Sequence, residues 1–322
     1  MKKFIVVCIF GLITVQSFGQ VDSDSDNIVN NATELFNATK IVCSGLSDEI
    51  SKVSNVSKIN TAVTGVGTVA AGGALAVGIA KSSEEREIES LIDQICAKGG
   101  CSAESIKTMS LEQFYTDVIS PMAEIAELQN KLDRSKKLGN WRTGLMAGTI
   151  GTNLASAIIS GVNANQSDLI QHIEACNKMI KSLSDMPAKL TSAGVSPLDN
   201  PIAKKINNVK TWCNQINVSD AQKIEKRMKG VMGTSIAGVV VGGIGTAASA
   251  SSNSNKYMNA EQRIALTESE KQSVNNLNTT ANIMSGVNVG TGLVETGLNI
   301  SLITLTKKMI RQAEMCEEAL QQ

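Results

Sequence analysis

Cysteine and histidine could do most of the chemistry open to a chain of this composition, and both are scarce. His172 is the only histidine. It stands one helical turn before Cys176, so as a metal half-site it would need two further ligands, and zinc favours thiolates that an oxidising compartment converts to disulfides. A solvated position on a helix is the simpler expectation for it. The same scarcity argues against a serine or cysteine nucleophile activated by histidine. Cys96 and Cys101 are separated by Ala97, Lys98, Gly99 and Gly100, which is wider than the two-residue spacing of a redox pair and reads as a structural loop closed by a disulfide. Gly243, Gly245 and Ala248 have the spacing of a dinucleotide loop after the run Val239, Val240, Val241. No second strand pattern follows, and residues 249–255 contain no acid to hold a ribose. The sequence holds no G-x-x-x-x-G-K-[ST] phosphate loop. These observations predict a protein that is not an enzyme and carries no cofactor, no metal and no identifiable small-molecule substrate.

The compartment follows from the first residues. Lys2 and Lys3 precede an apolar run from Phe4 to Val15, and Ser17 and Gly19 supply the small residues of a cleavage site, so residues 1–19 read as a secretory signal peptide. The expected location is the periplasm, the cell envelope or the medium. Removal of the signal takes away Cys8 and leaves Cys43, Cys96, Cys101, Cys176, Cys213 and Cys316, an even number that suggests disulfides in an exported chain. Thirty basic residues balance thirty acidic ones, which gives no electrostatic reason to expect nucleic acid or an anionic surface as partner.

The elements that must position these residues are helical. Ile88, Leu91, Ile92 and Ile95 make one apolar face, Met122, Ile125, Leu128 and Leu132 another, and Leu302, Leu305, Met309, Ala313 and Cys316 a third. Ser82 with Glu85, Ser110 with Gln113, and Ser219 with Gln222 have the spacing of capping boxes and mark candidate helix starts. Four segments break the amphipathic texture: 59–80, 143–167, 230–255 and 283–306. Each is rich in Gly, Ala, Ser and Thr, and only the last contains a charge, Glu295. Small residues recur in them at four-residue spacing, including Gly144 and Gly148, Gly230, Gly238 and Gly242, and Gly286 and Gly290. Such stripes are expected to let helices approach closely, returning the roughly 1 kcal/mol that each glycine costs a helix relative to alanine.

Cysteines bracket these segments in a two-fold internal repeat of cysteine, glycine-rich segment, connection, glycine-rich segment, cysteine. Two pseudo-repeated helical hairpins, 20–185 and 202–322, are thus expected around a linker at 186–201 that holds Pro187, Gly194, Pro197 and Pro201. The predicted class is all-α, an elongated helical bundle. If each half is an antiparallel hairpin, its outer cysteines meet, which predicts Cys43 with Cys176 and Cys213 with Cys316, leaving Cys96 for Cys101.

The remaining charged features read as solvated. Glu84, Glu85, Glu87 and Glu89 form an acidic run, and Arg134, Lys136, Lys137 and Arg142 a basic one, at the same end of the first hairpin. Glu295 is expected to point to water, since an acid facing lipid is costly. Two function classes then fit. The first is an exported structural or interaction protein whose glycine-rich helix faces mediate self-association or docking to a protein partner. The alternative is a membrane-inserting protein, of pore-forming or translocator type, whose uncharged segments are long enough to cross about 30 Å of hydrocarbon.

Overall fold

The computed structural model describes residues 24–99, 123–196 and 200–322. The expected signal peptide, Cys101 and the Ser110 spacing lie outside them. The described chain is all-α, as the periodicity predicts: α1 (Asp24–Cys43), α2 (Leu46–Gly99), α3 (Ala123–Asn163), α4 (Ser167–Ser184), α5 (Met186–Ser192), α6 (Pro201–Cys213), α7 (Val218–Ser252), α8 (Ala260–Ile264) and α9 (Glu268–Gln321). Two compact units form, and they do not follow chain order. Of the described residues, one gathers those up to Ser47 with those of Gln171–Asn217 and Arg311–Gln322; the other gathers those of Asp48–Ile170 with Val218–Ile310.

The first unit has an ordinary apolar core. Phe36, Ile173, Ile180, Leu183, Leu190, Ile206, Val209 and Leu320 are buried in it. Two disulfides among the described residues lie here: Cys43–Cys176 ties α1 to α4 and Cys213–Cys316 ties α6 to α9, two of the three pairings expected from the cysteine spacing. They fit an oxidising environment. Gly45 adopts φ 77 between α1 and α2, a left-handed conformation that a side chain resists. The first turn of α2 is then satisfied from α9, as Ser47 donates its backbone amide and its hydroxyl to the two Glu317 carboxylate oxygens at 3.1 and 2.7 Å. His172 is half-buried rather than solvated, with Nε2 at 2.7 Å from the Val42 carbonyl. The stretch read as a linker is largely structured: Pro187 opens α5, where its missing N–H costs nothing, Gly194 (φ 78) follows it, and Asn200 caps α6 by accepting from the Ile202 and Ala203 amides. Because Cys43–Cys176 closes a separation of 133 residues, its removal frees a long loop in the unfolded chain. The paired Cys43→Ser and Cys176→Ser variant is expected to lose about 3–5 kcal/mol, read as a lower urea midpoint; an unchanged midpoint would mean the bond contributes nothing.

The second unit is an up-down-up-down bundle of α2, α3, α7 and α9, each antiparallel to its neighbours. The pairings run in opposite directions along α2 and α3 (Asn60 with Ser160, Glu85 with Ser135) and along α7 and α9 (Ser235 with Glu295, Asp220 with Lys308). Its inward positions follow a three-four repeat. On α3 these are Ile125, Leu128, Leu132, Ser135, Gly139, Arg142, Met146, Thr149, Asn153, Ser156 and Ser160. The same spacing holds on α2 from Ile50 to Ile95 and on α9 from Val274 to Met309. A 3.5-residue period is the signature of left-handed supercoiling with side chains interlocked at the seam. At one end the seam is conventional, since Ile88, Leu91, Ile92 and Ile95 meet Ile125, Leu128, Leu132, Met258 and Ile264. The expected helix start at Ser82 does not occur. α2 runs through it, and Ser82 donates instead to the Gly78 carbonyl at 3.0 Å.

A capping box that was not among the candidate starts opens α9. Thr267 donates its amide to Glu270 Oε2 at 2.9 Å, and the Glu270 amide donates to Thr267 Oγ1 at 3.3 Å. The Lys256 ammonium on the other carboxylate oxygen, followed by the Thr267 amide, holds the Glu270 carboxyl down to about 2. A depressed acid stabilises the fold above its ordinary value, and that contribution disappears as pH falls through about 2. In a carboxyl-resolved NMR titration Glu270 should be among the last carboxylates to protonate, and Lys256→Met should move its midpoint upward. A wild-type midpoint in the ordinary glutamate range would contradict this.

Candidate functional site

The middle of the second unit reverses the usual distribution of polarity. Going along α2 from its apolar end, the inward positions are Glu85, Lys81, Gly78, Ala74, Ala71, Gly67, Thr64, Asn60 and Ser57, all buried. Facing them are Arg142, Met146, Thr149, Asn153, Ser156 and Ser160 of α3, Ser249, Gly245, Gly242, Gly238 and Ser235 of α7, and Asn278, Ala281, Ser285, Asn288, Gly292, Glu295 and Asn299 of α9. The large apolar side chains of the same turns point outward. Val69 is 77% exposed and Val162 78%, and Ile59, Val66, Ile79, Leu154, Ile158, Ile236, Val240, Ile244, Ile283, Val287, Leu293, Val294 and Ile300 are exposed with them.

The interior polar groups bond to one another across helices. Ser156 and Ser235 both meet Glu295 Oε1, the second at 2.6 Å, and their hydroxyls lie 3.0 Å apart. One layer further on, the Asn60 amide donates to Ser160 Oγ at 2.8 Å and to Asn299 Oδ1 at 3.4 Å. The expectation that Glu295 reaches water is therefore wrong: it is 1% exposed, because position 295 falls on the seam of α9. Each of these side chains has at least one partner, which offsets a cost of about 1–3 kcal/mol for an unpaired buried hydroxyl or amide; Asn60 Oδ1 and Asn299 Nδ2 are buried without one.

Toward the apolar end lies a cluster of buried charges. Arg142 is wholly buried and donates to Ser249 Oγ (2.9 Å), Asn282 Oδ1 (3.0 Å), Asn278 Oδ1 (3.0 Å) and Ser252 Oγ (3.4 Å). Lys81, equally buried, donates to the same Ser252 Oγ at 3.2 Å and to Asn253 Oδ1 at 3.3 Å. Burial pushes the Lys81 ammonium down to about 8, with Glu85 opposing the shift and Arg142 adding to it. It pushes Arg142 down to about 10 against the influence of Glu85. One turn beyond Lys81, Glu85 accepts from Arg263 Nη2 and from Ser135 Oγ, both at 2.6 Å. Three members of the charge runs read as solvated, Glu84, Glu85 and Arg142, are thus buried, Glu84 pairing with the exposed Arg134 at 3.0 Å. Lys131 and Glu87, 2.6 Å apart, keep the expected surface role.

The glycines named from the four-residue stripes divide between the two surfaces. Gly238 and Gly242 face the interior, where an added Cβ would strike Asn153 and Ile150. Gly78, outside that set, makes room in the same way for Asn282 and Arg142. Gly230 approaches only Leu298. Around Gly144, Gly148, Gly286 and Gly290 nothing among the described residues lies within 4 Å of the place a Cβ would take, so they do not pack against another of the described helices. Among the described residues no three His, Cys, Asp or Glu side chains are placed to share a metal ion. Compared with protein-family models, curated proteins and solved structures, the chain matches none.

Proposed function

We propose that this is an exported, non-enzymatic protein that inserts the middle of its four-helix unit into a lipid bilayer, where the helices enclose a polar interior of pore or translocator type. The reversal of polarity in that unit is the observation that supports it. In water such a bundle would expose its isoleucines and valines and bury its serines and asparagines, losing on both surfaces. In hydrocarbon the same arrangement puts apolar side chains against lipid and pairs the inward polar groups with one another. The uncharged stretches 59–80, 143–167 and 230–255 are long enough for about 30 Å of hydrocarbon. Three helical stretches among the described residues are long and apolar enough to cross a membrane, and only 28–33% of each apolar window is buried within the protein. The fourth stretch carries Glu295, which the other three helices shield. Where the charges resume, Trp141 is 69% exposed beside Lys137, as expected of an aromatic side chain at a membrane–water boundary.

Fractionation of the protein from its native compartment tests this reading. Retention in carbonate-washed membranes, with flotation on liposomes and release of an entrapped dye, is the expected result. Recovery in the soluble fraction with inert liposomes would overturn it and favour the docking alternative, which draws support from the outward, uncovered Gly144 and Gly148 on α3 and Gly286 and Gly290 on α9.

A further inference from the structure

We infer that Lys81, Arg142 and Asn278 form a binding site for a small monovalent inorganic anion, with chloride as the natural probe. Lys81 and Arg142 are both 0% exposed and donate to one and the same oxygen, Ser252 Oγ, so two like charges are held side by side in the interior. Every acceptor that touches them is a neutral hydroxyl or amide oxygen. The nearby carboxylate, Glu85, is bonded to Arg263 and Ser135 instead, and Glu84 is paired with Arg134. Three buried cations, Lys81, Arg142 and Arg263, thus share Glu85, and like charges at such separation repel strongly where water is excluded.

A second observation points to the same ligand. Asn278 is 4% exposed, and while its Oδ1 accepts from Arg142, its Nδ2 is buried and has no hydrogen-bond partner. An unpartnered buried amide donor on the side chain that already accepts from Arg142, with no carboxylate bonded to Arg142 or Lys81, is what an anion requires. The inference stands whether or not the bundle enters a bilayer, because it concerns only groups inside the helix seam.

The test is thermal unfolding of the purified protein in sodium chloride and in sodium gluconate at matched ionic strength. Chloride is expected to raise the melting temperature by roughly 3 °C, since an anion that binds only the folded state stabilises it by mass action. Asn278→Asp places a tethered carboxylate on Arg142 and is expected to fold and to melt alike in both salts. Equal melting of the wild type in the two salts, or an undiminished chloride response in Asn278→Asp, would overturn the inference. Should that variant fail to fold, bromide-soaked crystals of the wild type decide the matter: an anomalous peak within hydrogen-bond reach of Asn278 Nδ2 and Lys81 Nζ is expected, and its absence is disproof.

Discussion

Lysine at two outward positions in the middle of the bundle, Val69→Lys with Val240→Lys, is expected to abolish membrane retention while leaving the fold intact. Val69 lies midway along the uncharged stretch of α2 and Val240 midway along that of α7, and both side chains are exposed. In water, substitutions at such positions change stability by less than about 0.5 kcal/mol. At the centre of a bilayer each lysine costs about 2.5–3.5 kcal/mol on insertion scales, so the pair removes roughly 5–7 kcal/mol, about four orders of magnitude, from partition. The measurement is the distribution between washed membranes and the soluble fraction, with circular dichroism in detergent as the check on folding. Ile41→Lys, an exposed position on α1 in the other unit, is the control and should not move the distribution. If the double variant partitions as the wild type does, the outer apolar surface is not a lipid surface.

The second large effect concerns Glu85 and Arg263. Their side chains are 4% and 1% exposed and 2.6 Å apart, and Arg263 Nη1 has no partner. Removing one member leaves the other as an uncompensated buried charge, which costs about 3–5 kcal/mol. Arg263→Met is expected to fall in that range. Glu85→Met should be worse, because it takes away the carboxylate that Lys81, Arg142 and Arg263 share. The double variant should recover most of the loss, since an apolar pair of similar volume is often neutral or stabilising where it replaces a buried ion pair. Urea unfolding of the two single variants and the double variant gives the coupling directly; additive losses would show that the two groups do not depend on each other.

Much of this protein can be read from its residues one after another. The helices follow from apolar spacing on 88–95 and 125–132, and those two faces do meet in the finished unit. The cysteine arrangement leads to Cys43–Cys176 and Cys213–Cys316 without reference to coordinates. The uncharged stretches are visible in the same way, because the absence of charge over more than twenty residues is a property of the chain and of nothing else. Which side of a helix faces inward in those stretches is a different matter. Where Gly, Ser, Thr and Val are interspersed, the hydrophobic contrast that normally marks the core is weak, and here it is inverted. Reading small residues every fourth position follows a line that advances about 40° per step around the helix and so leaves any one face within a few turns. That drift is why the stripe starting at outward Gly144 and Gly148 ends at inward Ser156 and Ser160.

The sequence by itself therefore determined helix and the position of the uncharged segments, which depend on local spacing, and its repeat of cysteines led to two pairings across 133 and 103 residues. Only the tertiary structure decided that Glu295, Arg142, Lys81 and Glu85 are interior and that the isoleucines and valines are not. The reason is physical: four helices supercoiling together select the 3.5-residue seam, and the seam, not the polarity of any single residue, determines what is enclosed.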